Sequence, residues 1–173
     1  MHMRFWSLIF IIIFSASFIS CSNGDVIFDC YYINWAGDYR LEGFYIDRNG
    51  NIYKYNRNGN PWLPESAQVG IPEPNEDELL NKFQNKKIIG NVDMTTLHDK
   101  INLISDTTSG TITRKPRGAD MGARGCVAYK FDNSNKRYKT IQLGSSCDWD
   151  IENSSTSARL LLNWLSGFWE LTK

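Results

Sequence analysis

Asp148, Asp150 and Glu152 stand at i, i+2 and i+4, so on a strand all three carboxylates point to one face. Such a trio could bind calcium, or set a raised-pKa acid beside an ionised base as glycosidases do. The competing reading is a solvated strand end leading into a helix cap, with Trp149 and Ile151 facing inward. A second chemically capable stretch lies just upstream. Arg114, Lys115, Arg117 and Arg124 flank Gly118, Ala119, Asp120, Met121, Gly122 and Ala123. Exposed backbone amides in a loop of small residues, ringed by cations, could hold an anion. Glycines at 118, 122 and 125 do not fit a dinucleotide or phosphate-loop fingerprint. The candidates for ligand binding are therefore Arg114, Lys115, Arg117, Gly118, Asp120, Gly122 and Arg124, weighed against a plain inter-strand connection.

Other chemistry has less to build on. Of the two histidines, His2 and His98, only His98 lies in the body of the chain, and a single imidazole without placed partners carries little catalytic weight. Neither His-x-x-x-His nor Cys-x-x-Cys occurs, so a zinc site is not expected, and no Gly-x-Ser-x-Gly elbow is present. Asp47-Arg48-Asn49-Gly50-Asn51 faintly resembles a calcium loop, but its glycine is fourth rather than sixth and no Glu follows at the twelfth place. It reads as a turn. No catalytic residue, metal or cofactor is assigned. Tyr45, Tyr53 and Tyr55 crowd one hairpin together with Phe44, and alternation sends some of them to the opposite face. If that face is open to solvent, they form a surface suited to protein or carbohydrate recognition.

The elements that must position these groups follow from periodicity. Val26–Trp35 is β-branched and aromatic with apolar residues at both parities, which predicts a central strand buried on two sides. Tyr39–Asp47 and Ile52–Asn56 flank Asn49-Gly50, a tight hairpin. Residues 57–74 hold four prolines with Gly59 and Gly70, an irregular connection. Asn75 and Glu78 have capping-box spacing at the head of a helix running toward Lys86 and Lys87. A second helix is predicted over Met94–Asp106, capped by Asp93. Thr111–Arg114 reads as a short strand, and Cys126–Asp132 with Arg137–Leu143 as a hairpin. Behind a Ser/Thr cap near Ser154–Thr156, Ala158, Leu161, Leu162, Leu165, Phe168 and Trp169 recur with helical period. The order β-β-β-α-α-β-β-β-α predicts an α+β domain: a mainly antiparallel sheet, two central helices, and a C-terminal amphipathic helix packed on one face.

The N-terminus supplies an address. Arg4 precedes an apolar run from Phe5 to Ile19, too short for the roughly 20 residues of a spanning helix and laid out like an export signal. Phe18-Ile19-Ser20-Cys21 resembles a bacterial lipobox, with Phe in place of the usual Leu. That resemblance implies cleavage before Cys21, acylation of its thiol and a membrane anchor through the lipid. Ser22, rather than Asp, implies an outer-membrane destination if the envelope is Gram-negative. The expected organisation is a signal over 1–20, a tether over 21–25 and one domain over 26–173.

Removal of Arg4 from the 19 Lys+Arg leaves 18 against 19 Asp+Glu, a balance that offers nucleic acid no general attraction. With Cys21 acylated, Cys30, Cys126 and Cys147 remain, an odd number for an oxidising compartment. Cys126–Cys147 is the preferred disulfide, because it would staple the ends of the predicted hairpin; Cys30 pairing with either stays open. The functional expectation is a lipid-anchored extracytoplasmic binding protein that acts on another extracytoplasmic protein, as an inhibitor, immunity-type factor or envelope accessory. The alternatives are a ligand or polysaccharide binder using the 114–125 loop, or a hydrolase centred on Asp148, Asp150 and Glu152.

Overall fold

A computed structural model describes residues 25–66, 71–118, 122–147 and 149–173. Cys21 with its leader, Asp120 and Asp148 lie outside the described residues. The chain runs β1 (Val26–Asn34), β2 (Arg40–Asp47), β3 (Asn51–Asn58), α1 (Glu76–Lys82), β4 (Lys87–Asn91), α2 (Met94–Thr107), β5 (Ile112–Pro116), β6 (Ala123–Asp132), β7 (Arg137–Cys147), β8 (Trp149–Asn153) and α3 (Thr156–Ser166), and closes in a 3₁₀ turn over Gly167–Thr172. All eight strands form one sheet in the order β4-β3-β2-β1-β6-β7-β8-β5, and every pairing is antiparallel. The domain is α+β with strands dominant.

Local chemistry explains where the elements begin and turn. Gly50 adopts φ +82° between β2 and β3, and a Cβ there would lie 2.4 Å from the Val92 carbonyl oxygen, so only glycine fits. Asp47 closes this turn: its carboxylate accepts from the Asn49 and Asn51 amides at 2.9 and 2.8 Å and from Asn51 Nδ2 at 2.9 Å. At α1 the Asn75 side chain accepts from the Glu78 amide at 2.9 Å and Glu78 accepts in return from the Asn75 amide at 2.8 Å, the reciprocal cap predicted from the spacing. Asp93 caps α2 through the Thr96 amide at 2.9 Å. Helix α3 starts differently. Its N-cap Ser155 makes no side-chain cap bond, and the preceding Asn153 accepts from the Ser155 amide at 3.0 Å instead.

β1 lies between β2 and β6 and carries buried residues at both parities. One of its faces sends Phe28 and Cys30 into a core with Phe44, Ile46 and Leu143, which Leu97 and Ile104 of α2 and Leu161 and Leu165 of α3 complete. Burying each of these leucines contributes about 1.5–3 kcal/mol. The other face holds Tyr45, Tyr55, Tyr129 and Tyr138, closed over by Leu79 and Phe83 from α1 and its exit.

Three expectations are corrected here. The first helix ends at Lys82 rather than continuing to Lys86–Lys87, because Phe83 leaves helical geometry (φ −92°, ψ 68°). Phe83 turns inward to stack on Tyr45 at 4.2 Å and meet Tyr55 edge-on at 4.9 Å. The lysine side of that segment becomes β4, which pairs with β3. The disulfide is Cys30–Cys126, not Cys126–Cys147. Antiparallel register sets Cys30 directly opposite Cys126, whereas the β6–β7 hairpin sets Cys126 opposite Gly144 and Cys147 opposite Ala123. Finally, Tyr45 and Tyr55 are not surface residues: both are buried, and Tyr53 is half-buried and stacked on Tyr45 at 4.7 Å. α1 and the chain around Trp62 cover the face on which they stand.

Candidate functional site

Register brings the two chemically capable stretches to one place. Cys126 of β6 lies opposite Gly144 of β7, Gly144 opposite Glu152 of β8, and Glu152 opposite Thr113 of β5. Side chains paired in this way share a face, so a row runs outward from the disulfide across four strands. Arg124 lies opposite Ser146 one step away on the same face. Gly144 allows α3 to come close, since a Cβ there would meet Leu162 Cδ1 at 2.8 Å and the Ile151 carbonyl oxygen at 3.2 Å. Beyond that contact α3 and the outer strands diverge, leaving a groove of about 960 Å³.

The groove combines apolar walls, from Leu162 and Trp169 among others, with an uneven set of charged and polar groups. Arg117, at the end of β5, pairs with Asp150 at 3.3 Å in an exposed contact. Arg124 lies over the Trp169 ring, 4.4 Å from its centroid, and that indole is held edge-on against Phe44 at 5.3 Å. Arg159 projects from the first turns of α3, and its guanidinium makes one long hydrogen bond among the described residues, to Thr156 Oγ1 at 3.5 Å. Neither Arg124 nor Arg159 forms an ion pair among the described residues. Glu152 adds a carboxylate; Ser146, Asn163 and Ser166 add hydroxyls and an amide. Asn153 fixes the corner where β8 enters α3. Its Nδ2 donates to the Thr107 and Gln142 carbonyls at 3.1 and 3.0 Å.

Among the residues singled out by sequence, Arg117, Arg124, Asp150 and Glu152 meet in this groove. Arg114 and Lys115 stand exposed on β5, opposite Ile151 and Asp150. Gly118 follows that strand, exposed; Gly122 is buried with φ +73° against Ile33 and Tyr32. His98 is exposed on α2. Sequence reasoning passed over Arg159, Asn163 and Ser166, and read Trp169 only as part of the apolar stripe. Their spacing of four, three and three residues is one stripe of a helix, polar at its start, and that stripe was the available signal.

The opposite face carries a second charged cluster. Asp29 in β1 is fully buried and accepts from Lys82 of α1, from Tyr55 Oη at 2.8 Å and from Tyr129 Oη at 3.2 Å. The Lys82 ammonium lies 4.8 Å from the Trp62 ring centroid and 5.0 Å from that of Tyr31, within cation–π range. Burial, then the Asp29 charge, pushes the Tyr55 and Tyr129 hydroxyls well above the ordinary tyrosine value, and Tyr31 up to about 12. Every oxygen and ammonium in the cluster is matched and covered. It is a structural pin, not a site.

No group of three or more His, Cys, Asp or Glu side chains is placed for a metal ion among the described residues, and no helix among them is long and apolar enough to cross a membrane. No protein-family model, no characterised protein and no solved structure matches the chain.

Proposed function

We propose that this chain is a lipid-anchored extracytoplasmic binding protein whose ligand occupies the groove between β5–β8 and α3. One observation carries the reading: Arg124 and Arg159, from different elements, border one open groove without an ion-pair partner among the described residues. Guanidinium groups in that condition hold unused directional donors. The reading treats α2 and α3 as the layer that gives the groove its wall, supported by the apolar cluster they share with Phe28 and Phe44. Binding is favoured over hydrolysis because Asp150 is already engaged by Arg117.

The address rests on Phe18-Ile19-Ser20-Cys21, and a disulfide between Cys30 and Cys126 suits an oxidising compartment. Radiolabelled palmitate should enter the wild-type protein and not Cys21→Ala, which should leave the membrane fraction. For the groove, thermal-shift screening against sugars, organic anions and peptides should give hits abolished by Ser166→Trp, whose indole would fill the space. Hits indifferent to that change would remove the groove from the reading.

A protein partner is the second reading, favoured by one surface. Trp35 and Leu63 are 56% and 70% exposed on either side of Tyr39, which contacts the Trp35 ring at 4.9 Å and accepts from the Trp62 amide at 3.3 Å. A partner recovered near one-to-one by the wild type, and lost by Trp35→Ser/Leu63→Ser without loss of folding, would place recognition there instead.

A further inference from the structure

We propose that the groove's ligand is an acidic oligosaccharide, gripped through its carboxylates by Arg124 and Arg159 and through its hydroxyls by Glu152 and the Asp150 oxygen not paired with Arg117. The inference rests on the groove reading above and narrows it to a ligand class.

The argument is one of donor and acceptor matching. Arginine only donates and an ionised carboxylate only accepts. A groove that offers both to its ligand is matched by a molecule that carries an anion and hydrogen-bond donors close together. Inorganic phosphate or sulfate supplies the anion, but sulfate brings no donor for Glu152, and hydrogen phosphate brings a single hydroxyl where two carboxylates call for several. A neutral sugar supplies donors and leaves Arg124 and Arg159 without a counter-charge. An acidic peptide supplies both, yet peptide recognition anchors on side-chain pockets. Of the groove's aliphatic residues, Leu143 is fully buried, Leu162 packs over Gly144, and Ile151 alternates with Asp150 and Glu152 along β8, so none is placed to shape such a pocket. A uronic-acid-type sugar meets every condition: its hydroxyls donate to Asp150 and Glu152 and accept from Ser146 and Asn163.

Two further observations bear on geometry. Trp169 lies between Arg124 on one side and Phe44 on another. Its indole is therefore a platform beneath the guanidinium, whose donors remain available to meet a carboxylate with two parallel hydrogen bonds. Trp169 is a positioning residue rather than a stacking surface for the sugar. The volume, about 960 Å³, stands near the top of the roughly 300–1,000 Å³ usual for small-molecule sites, which suits a short oligomer better than a single ring.

The test is calorimetric titration of the full chain in detergent with four probes: trigalacturonate, its methyl ester, triglutamate and inorganic phosphate. Trigalacturonate should bind saturably. Arg124→Gln and Arg159→Gln should each weaken it about ten- to a hundredfold, the range of one charge-assisted hydrogen bond. The methyl ester, which keeps the ring hydroxyls and lacks the charge, should lose a similar factor. Trp169→Phe should weaken trigalacturonate less than Arg124→Gln and leave the ester unmoved. Equal affinity for the ester, for triglutamate or for phosphate overturns the acidic-sugar assignment, as does silence from trigalacturonate in a folded protein. None of those outcomes touches the groove itself if other ligands are still lost on Ser166→Trp; loss of that dependence defeats both readings together.

Discussion

The two faces of the sheet each set carboxylates against cations, and they use them in opposite ways. Around Asp29, one carboxylate receives an ammonium and two phenols, and α1 with Trp62 seals the assembly from water. Around Asp150 and Glu152, three guanidiniums face two carboxylates, one exposed ion pair forms, and the remaining groups border open space. Charge alone does not distinguish a pin from a site. Access and unused hydrogen-bonding capacity do, because a buried charge must be fully matched to be tolerated, while an accessible one keeps water that a ligand can displace.

The comparison is broken most directly at Lys82. Its removal leaves Asp29 buried with only the two tyrosine donors, and breaking a buried pair typically costs about 3–5 kcal/mol. Lys82→Ala should lower the urea midpoint accordingly, and Asp29→Asn in the same chain should recover part of the loss. A stability change under about 1 kcal/mol for Lys82→Ala would mean the cluster is as wet as the groove.

Alkaline titration separates the faces without mutation. Burial first, then Glu76, pushes the Tyr138 hydroxyl up to about 12, and Tyr31 reaches about 12 through burial and Asp29. Unfolded tyrosine titrates near pH 10, so the folded state holds these protons more tightly. Their contribution is complete below pH 10 and is lost as pH rises toward 12, about 3 kcal/mol for a two-unit shift. Denaturation midpoints should stay level from pH 8 to 10 and then fall. No tyrosine lines the groove, so the fall reports the sealed face. A level profile to pH 12 would show that these phenols are solvated.

A smaller loss is expected at the corner that holds the groove's wall. Asn153→Ala leaves the Thr107 and Gln142 carbonyls and the Ser155 amide without their partner. Unsatisfied buried groups cost about 1–3 kcal/mol, and the thermal midpoint should drop by several degrees. An unchanged midpoint would show that water replaces the amide and that α3 is set by its apolar stripe alone.

How much of this was legible in sequence depended on range. Turns and caps are local, and Asn49-Gly50, Asn75 with Glu78, and Asp93 all behave as their spacing implied. The apolar stripe of α3 was equally plain, with Ala158, Leu161 and Leu165 buried. β4 is five residues with a glycine near its end, too short for alternation to register, and β8 was hidden in what read as the approach to a cap. Pairings were the real obstacle. Lys82 is 53 positions from Asp29, and Tyr129 is 100. β5 precedes β6 in the chain but sits at the far edge beyond β8. That crossover carries Arg117 to Asp150, and no local signal announces it. Parity did survive: Asp150 and Glu152 share a face, as i, i+2 spacing requires.

The smallest stability effect is the most telling. Arg124 is exposed and rests on an indole rather than a carboxylate, and Arg159 is exposed with one long side-chain hydrogen bond. Surface groups of this kind rarely contribute more than about 0.5 kcal/mol to folding. Arg124→Gln and Arg159→Gln should therefore leave the urea midpoint within that margin, in contrast to Lys82→Ala on the other face. Two arginines beside two carboxylates that leave the urea midpoint unmoved would match the binding role proposed for the groove. Should either substitution destabilise the fold by 2 kcal/mol or more, the scale of a buried partner lost, the groove would be a second pin and the contrast between the two faces would collapse.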